Sequence, residues 1–358
     1  MKILLYSDVH ISKTSSIMPL NTDNSKYSFR QQLIIDTGKY LAELAKQNSV
    51  DMIINLGDTF DQHTITSYDV STASEFFKCF KECDIPHLVI VGNHEMVNSK
   101  FNAIELLNNI ENIVVISKPS SLRYTDYKTG EELEYAILPY TNYKDVISFP
   151  DGTFLFSHQD IQGSRLRGDI VLKDGLDGNV LKQKYKLVFN GHIHKPSIMG
   201  NVVNVGSIMT HSFADDNEAV PQCYIFDTQT LDLQTFKPTI CPLFRKMYVD
   251  TLDELKSKLE ALDSSYKYII NCDCPYIIKD DVKQYLLQSD KVLNQRLSVR
   301  VDEATIEAEK EDMILQQSNL DIVKAFREFL NTVDLKYPRD LYMTMLDTME
   351  SREVNEFV

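Results

Sequence analysis

Five short apolar runs of this chain each end in side chains that bind metals. These side chains are Asp8 and His10 (ILLYSDVH), Asp58 (MIINLGDTFD), Asn93 with His94 (HLVIVGNHE), His158 (TFLFSHQD), and His192 with His194 (KLVFNGHIH). Oxygen and imidazole ligands without thiolate disfavour a cysteine-rich zinc site and suit two divalent ions. The Asp58 carboxylate could bridge both ions, and two ions about 3.5 to 4 Å apart can clamp a phosphoryl group. The pattern predicts hydrolysis of a phosphoester.

Each motif is ambiguous when it is taken singly. An Asp or His after a strand is more often a cap or turn residue than a metal ligand. Gly57 and Gly92 strengthen two of the motifs, because glycine permits the tight turn that aims the next side chain back across the strand end. Five such motifs in one chain favour a common metal site over separate caps.

The elements that must position these residues are predicted from hydrophobic periodicity. Buried strands are expected at residues 3 to 6, 52 to 56, 87 to 91, 113 to 116, 134 to 138, 154 to 156, 187 to 189, 202 to 205 and 223 to 226. Helices are expected at residues 28 to 47, 67 to 83 and 101 to 109. Ligands of α/β sheets bind at the carboxyl ends of the strands, so the five motifs should meet in one cleft of an α/β domain.

Length and composition restrict the class of protein. At 358 residues the chain exceeds the size of a single core, so residues 1 to 240 should form a large domain that is followed by smaller units. A net charge of -15 argues against a sequence-blind nucleic-acid coat or a binder of anionic membranes. The apolar runs are too short to span a bilayer, and MKILLYSDVH does not read as a signal peptide. We therefore expect a cytoplasmic protein without membrane association.

The six cysteines are expected to be reduced thiols that serve as packing residues. They are scattered through the chain, unlike the dense framework of a small disulfide-rich domain. No third or fourth ligand lies near Cys272 and Cys274, so a zinc site is not expected there.

The periodicity changes beyond residue 240. Residues 244 to 301 alternate short strands and helices, which predicts a small α+β domain. Residues 302 to 317 are interpreted as an acidic linker, because DEATIEAEKED at 302 to 312 holds six acids and one base.

Two amphipathic helices are predicted in residues 318 to 358. Their apolar positions include Ile322, Phe326, Phe329, Leu330, Leu341, Met345 and Leu346. These faces could pack on the chain's own small domain, or they could bind a partner protein.

The order D-x-H, GD-x-x-D, GNH[DE], a lone His and GH-x-H resembles that of the calcineurin-like metallophosphoesterases. The resemblance covers roughly residues 1 to 210. Within that superfamily the GDTFD, GHIHKP and GSIMTHSF segments and the appended units resemble the SbcD-type nuclease subunit, in its bacterial or bacteriophage versions. The resemblance implies a four-layer αββα sandwich of two mixed sheets, with a small α+β cap domain over the DNA and a helical C-terminal tail.

The resemblance also implies roles for individual residues. One ion, Mn²⁺ by preference and Mg²⁺ as a possibility, would be bound by Asp8, His10, Asp58 and His194, and a second by Asp58, Asn93, His158 and His192. His94 would be catalytic, with Glu95 orienting it. GNHE stands where GNHD is commoner, and SHQD replaces the usual Gly-His, which puts the local turn in doubt.

The partners implied by the resemblance are DNA, without sequence specificity, and an SbcC-like coiled-coil ABC-type ATPase, in a heterotetramer that contains a nuclease homodimer. The function implied is an exonuclease or endonuclease subunit in DNA recombination, repair or replication. Candidates for DNA contact are Lys13, His63, Arg165, Arg167 and Lys195, each of which could equally be a solvated surface residue. His87 is predicted to pack in the core, and whether His63 and His211 face the cleft stays open.

Two other functions fit parts of the sequence. A small-molecule phosphodiesterase, acting on a cyclic nucleotide or a nucleotide lipid, or a protein phosphatase would use the same metal chemistry, but it would not need the units beyond residue 240. A scaffold subunit without catalysis would not need the complete set of ligands.

Overall fold

The computed structural model describes residues 1–12, 18–19, 26–98, 101–125, 130, 132–141, 149–166, 170–213, 220–301 and 342. The chain divides into two compact units, Met1–Ser298 and Val299–Val358. The described part of the second unit is only residues 299–301 and 342. The predicted acidic linker and the predicted tail helices therefore lie outside the described residues, apart from residue 342.

Strands and helices alternate along the first unit. The strands of the described residues are β1 (Lys2–Tyr6), β2 (Met52–Asn55), β3 (His87–Ile90), β4 (Met96–Asn98), β5 (Phe101–Asn102), β6 (Ile113–Ile116), β7 (Ser120–Thr125), β8 (Glu132–Leu138), β9 (Phe154–Ser157), β10 (Leu187–Asn190), β11 (Ser197–Met199), β12 (Val202–Asn204), β13 (Cys223–Asp227), β14 (Leu233–Phe236), β15 (Leu243–Tyr248), β16 (Tyr268–Pro275) and β17 (Val292–Arg300). The α-helices are α1 (Phe29–Gln47), α2 (Ser67–Lys78), α3 (Gly178–Lys184), α4 (Leu252–Glu260) and α5 (Lys279–Gln288). Short 3₁₀ helices cover Lys81–Cys83, Ala103–Asn109 and Tyr276–Ile278.

The nine predicted strands are confirmed, and one predicted helix is wrong. The segment predicted as a helix at residues 101 to 109 is β5 followed by a 3₁₀ helix. Its buried residues, Ile104 and Leu107, are three positions apart, a spacing that both helix types allow. Asn102 supplies no side-chain cap, and this short segment has the tighter 3₁₀ form.

Two mixed sheets form the body of the first unit. The first sheet has the order β14-β13-β1-β2-β3-β6, in which β1, β2, β3 and β6 are parallel and β13 pairs antiparallel with both β1 and β14. The second has the order β11-β12-β10-β9-β8-β7, with β8, β9, β10 and β12 parallel and antiparallel edge strands.

The layers follow from the burial of both faces of the central strands. Ile3 and Leu5 of β1 share a core cluster with residues of the second sheet, such as Phe189. Leu4 and Tyr6, which alternate with them, pack in a cluster that contains the apolar stripes of α1 and α2. The outer face of the second sheet packs on Leu181 of α3 and its neighbours. The predicted αββα sandwich is confirmed.

A small three-stranded sheet with two helices follows the sandwich. The sheet has the order β15-β16-β17, and α4 and α5 contribute Leu255, Leu259, Val282 and Leu286 to its core. Cys272 and Cys274 are buried in that core and form no disulfide bond among the described residues. Phe244 and Ile269 belong instead to the main core cluster, so this unit is packed against the sandwich.

Among the described residues, no helix is both long enough and apolar enough to cross a membrane.

His87 is buried in the main core, as predicted. Its Nε2 lies 2.9 Å from the Tyr6 hydroxyl, and its ring packs on Phe77 and Phe80. Burial lowers the pKa of His87 to about 3. The imidazole is therefore neutral in the folded protein at neutral pH.

Stability should fall with decreasing pH because of His87. The unfolded chain takes up a proton near its pKa of about 6.5, and the folded chain does not, so the loss begins near pH 6.5 and continues toward pH 3. The slope attributable to His87 approaches about 1.4 kcal/mol per pH unit. His87→Gln, which can keep a hydrogen bond to Tyr6, should unfold in urea with a flatter pH dependence. Equal slopes for the two proteins between pH 7 and 5 would contradict this account.

Candidate active site

The seven predicted metal ligands come together at the carboxyl ends of five parallel strands. Asp8 and His10 follow β1, Asp58 follows β2, and Asn93 follows β3, all in the first sheet. In the second sheet, His158 follows β9, and His192 and His194 follow β10. The site therefore straddles the top edge of the sandwich.

The first cluster of side chains is formed by Asp8, His10, Asp58 and His194. The Nε2 atoms of His10 and His194 lie 3.2 Å apart. His10 Nε2 lies 3.8 Å from Asp8 Oδ1 and 3.8 Å from Asp58 Oδ2. His194 Nε2 also lies 3.8 Å from Asp8 Oδ1. Imidazole nitrogens and carboxylate oxygens thus converge on one small volume.

The second cluster shares Asp58 with the first. Asn93 Oδ1 lies 3.1 Å from His158 Nε2 and 2.9 Å from His192 Nδ1. Asp58 Oδ2 lies 3.2 Å from His158 Nε2. The carboxylate of Asp58 therefore stands between the two groups of imidazoles.

The donor set fits divalent cations. Asp8 is completely buried, and neither of its carboxylate oxygens has a hydrogen-bond partner among the described residues. A buried carboxylate in that condition is strongly destabilising unless a cation compensates it. The first cluster combines this carboxylate with imidazole nitrogens, a mixture that suits first-row divalent metals.

The charges of the site are strongly coupled. Burial lowers the pKa of His10, but the nearby carboxylates of Asp61, Asp8 and Asp58 outweigh burial and raise it to about 10. Burial also lowers the pKa of His158, and the Asp58 carboxylate raises it to about 9. A metal ion must displace these protons, so metal binding should release protons.

The backbone of the site is held in unusual conformations. Asp8, His10, Asp58 and His192 have positive φ values of 56°, 49°, 49° and 68°. Such conformations are unfavourable for residues other than glycine and collect at functional sites. At Gly92, a Cβ atom would collide with the side chain of Asp58, which explains the glycine of the GNHE motif.

Two hydrogen bonds set the orientation of the second-cluster imidazoles. His158 Nδ1 donates to the carbonyl of Leu56 at 2.7 Å, which leaves Nε2 directed at Asn93 and Asp58. His192 Nε2 lies 3.0 Å from Asp160 Oδ1, so its Nδ1 faces the cluster. Sequence reasoning missed the role of Asp160, although the SHQD motif contains it, because its partner is 32 residues away.

His94 lies at the open side of the site. Its side chain is 38% exposed, and its Nε2 lies 3.9 Å from Asp58 Oδ2. Its Nδ1 lies 2.6 Å from the carbonyl oxygen of Asp61. The ring is therefore oriented by Asp61 and remains accessible to a substrate.

Glu95, which is predicted to orient His94, makes hydrogen bonds to two backbone groups. Its carboxylate accepts from the backbone N–H groups of Phe60 at 2.9 Å and Gly92 at 2.7 Å. Burial and the charge of Asp58 raise the pKa of Glu95 to about 7. Glu95 thus stabilises the turn that carries Asn93, because its buried carboxylate binds the backbone N–H of Gly92.

The remaining candidates occupy different environments. His63 and Arg165 are exposed, and Lys195 is partly buried beside His194. Lys13 and Arg167 lie outside the described residues. His211 lies in the site, with its ring centroid 4.6 Å from that of His10 and 5.1 Å from that of His194.

The family model of the calcineurin-like phosphoesterases matches residues 1–196. This chain belongs to that family. Exonuclease subunit 1 of Enterobacteria phage T4 is 24% identical over 319 residues, which cover 84% of this chain and 86% of that protein. The DNA double-strand break repair protein Mre11 of Sulfurisphaera tokodaii is 35% identical over 139 residues, or 38% of this chain and 32% of that protein. Mre11 of Saccharolobus solfataricus is 32% identical over 101 residues, or 28% of this chain and 24% of that protein.

The role of Asp160 in this phosphoesterase site can be tested by Asp160→Asn. The amide is a poorer partner for the His192 N–H, so Mn²⁺ should bind the second cluster about 10- to 100-fold more weakly while the first is unchanged. Equilibrium dialysis with metal analysis measures both affinities. Asp174→Asn is the matched control, since it removes the same charge from an exposed position nearby. Equal affinities for Asp160→Asn and the control would refute the role.

Proposed function

We propose that this phosphoesterase is the nuclease subunit of a DNA end-processing complex and hydrolyses phosphodiester bonds of DNA with two divalent ions, Mn²⁺ by preference. The observation that carries the proposal is the pair of ligand clusters that share Asp58. The complete set of ligands beside an accessible His94 argues against a scaffold without catalysis.

The residues of the two clusters divide the work. One ion would be bound by Asp8, His10 and His194, and the other ion by Asn93, His158 and His192. Asp58 would bind both ions. When bound, the two ions supply Lewis acidity for the phosphoryl oxygens and for the attacking water. His94 Nε2, on the open side, is placed to stabilise charge on the phosphoryl oxygens or to protonate the leaving oxygen.

The extent of the similarity favours DNA over a small phosphodiester. The phage exonuclease subunit matches 319 residues, well beyond residues 1–196 of the phosphoesterase model. The match therefore extends past the domain that carries the metal ligands. A phosphodiesterase for small molecules would not require these additional units.

The proposed partner is an SbcC-like coiled-coil ATPase, bound to a homodimer of nuclease chains in the host or cell cytoplasm. Support comes from the sequence of residues 318 to 358, whose two apolar stripes suit helices that dock in a groove of a partner. The acidic segment before them would act as a tether.

The substrate class is tested with end-labelled linear DNA and bis(p-nitrophenyl) phosphate as parallel substrates. The purified chain should degrade DNA with Mn²⁺, more weakly with Mg²⁺, and not at all in EDTA, because imidazole-rich sites suit Mn²⁺ better than Mg²⁺. Hydrolysis of the small ester without DNA degradation would favour the small-molecule phosphodiesterase. Full activity in EDTA would overturn the metal mechanism.

Two variants serve as controls for this assay. His94→Ala should keep two Mn²⁺ per chain and lose about 10²- to 10⁴-fold in turnover, the usual contribution of a general acid. Asp58→Ala should lose both ions. If Asp58→Ala kept its metal and His94→Ala lost it, the roles of metal ligand and catalytic residue would have to be exchanged between the two residues.

The partner surface is tested by Phe326→Asp in the full-length chain. A charge in the apolar stripe should abolish co-purification with an SbcC-like ATPase and leave hydrolysis of the small ester unchanged. Lys324→Asp, half a helical turn away on the predicted polar face, is the control and should still bind. If Phe326→Asp still bound the ATPase fully, these helices would not be part of the interface.

A further inference from the structure

We propose that Arg30 and His211 form a positioning pair that holds the first ligand cluster in its ligating geometry. The inference rests on the proposed two-ion function. Neither residue belongs to the predicted ligand set.

Arg30 brings a buried positive charge from α1 to the loop that follows β1. The residue is 3% exposed. Its Nη2 donates to the carbonyl of His10 at 3.0 Å, and its Nε donates to Ser12 Oγ at 3.0 Å. The same Nη2 lies 3.1 Å from His211 Nδ1. One guanidinium thus connects the backbone of a ligand to the imidazole of His211.

These contacts determine the tautomer of His211. A guanidinium has only donors, so Nδ1 of His211 must accept and the ring proton must be on Nε2. His211 Nε2 lies 3.0 Å from the carbonyl oxygen of Asp8 and 2.7 Å from Ser207 Oγ. The imidazole therefore donates toward the backbone of Asp8.

This tautomer also decides between two roles for His211. His211 lies close enough to His10 and His194 to form a third nitrogen ligand of the same cluster. However, Nδ1 is engaged by Arg30, and Nε2 carries the proton that is donated to Asp8. Ligation would break one of these hydrogen bonds, so His211 acts on the cluster through its neighbours.

The pair acts where the backbone is under strain. Asp8 and His10 have positive φ values, 56° and 49°, which are unfavourable for residues other than glycine. The pair binds the carbonyl oxygens of both residues: His211 holds that of Asp8, and Arg30 holds that of His10. Without these bonds the loop should relax. The Asp8 carboxylate and the His10 imidazole would then move apart and no longer be placed to bind the same ion.

The second cluster depends on other contacts. Its imidazoles are oriented by Leu56 and Asp160, on strands and loops that the pair does not reach through these bonds. Loss of the pair should therefore weaken one metal site selectively. A general loss of folding stability would weaken both.

The test uses His211→Ala, His211→Gln and Thr37→Val in the full-length chain. Thr37 is buried in the same helix as Arg30, and its hydroxyl donates to Leu33, so its variant controls for a loss of stability. Mn²⁺ affinities are measured by equilibrium dialysis, the coupling of the two ions by electron paramagnetic resonance, and stability by urea unfolding.

His211→Ala should bind Mn²⁺ at the first cluster about 10- to 100-fold more weakly, as expected for loss of an outer-shell partner. At one equivalent the ion should therefore occupy the second cluster alone and give the six-line spectrum of an uncoupled ion. His211→Gln, whose amide can donate to Asp8 and accept from Arg30, should recover most of the affinity and the coupled spectrum. Thr37→Val should lose stability without a change in either site.

Three results would overturn the proposal: an unchanged first site in His211→Ala, equal weakening of both sites, or no recovery in His211→Gln. If His211→Ala does not fold, Arg30→Met replaces it, and full metal affinity at the first cluster of Arg30→Met would also overturn the proposal. A wild-type chain that binds two coupled Mn²⁺ but leaves DNA intact would contradict the proposed function and leave the positioning pair unaffected.

Discussion

The burial of negative charge at the top of the sandwich is the constraint on which the site depends. Asp8 and Asp58 are 0% and 1% exposed, and the two oxygens of Asp8 have no hydrogen-bond partner among the described residues. Such carboxylates are tolerated only beside compensating positive charge. Protonated imidazoles can supply it in the free protein, and divalent cations supply it more strongly. The ring of histidines around Asp58 serves both states, because each imidazole can bind either a proton or a metal.

This constraint explains why the core between the two sheets matters for chemistry. Ligands of both clusters come from both sheets, so the distance between the sheets sets the distances within each cluster. Phe156 and Phe189, which precede His158 and His192 in the chain, stack with their ring centroids 5.5 Å apart. A closely packed interior transmits any change in side-chain volume to its surroundings. The packing of the apolar layer therefore determines the positions of the ligands at the polar edge.

The sequence was sufficient to predict the strands and the side chains that gather at their ends, because those signals are local, and the resemblance supplied the sandwich. A buried strand is recognisable within a few residues, and the nine predicted strands, five of which are followed by ligand side chains, were located correctly. The partners of the ligands could not be predicted in this way. Arg30 and His211 are separated by 181 residues, and His192 and Asp160 by 32. The resemblance implied only that Glu95 orients His94, and the hydrogen bonds of its buried carboxylate to Phe60 and Gly92 were likewise beyond reach of the sequence.

Metal binding also resolves the conflict between an acidic chain and an anionic substrate. The net charge of the chain is -15, and the carboxylates of Asp61 and Asp160 flank the two clusters. These two carboxylates are paired with His10 and His192, which limits the negative charge that they present to a phosphate. Two divalent ions would more than neutralise the charges of Asp8 and Asp58 and leave the focus of the site positive. For a DNA substrate, the attraction would then be confined to the place where the scissile phosphate must lie, while the surrounding acidic surface would disfavour binding elsewhere.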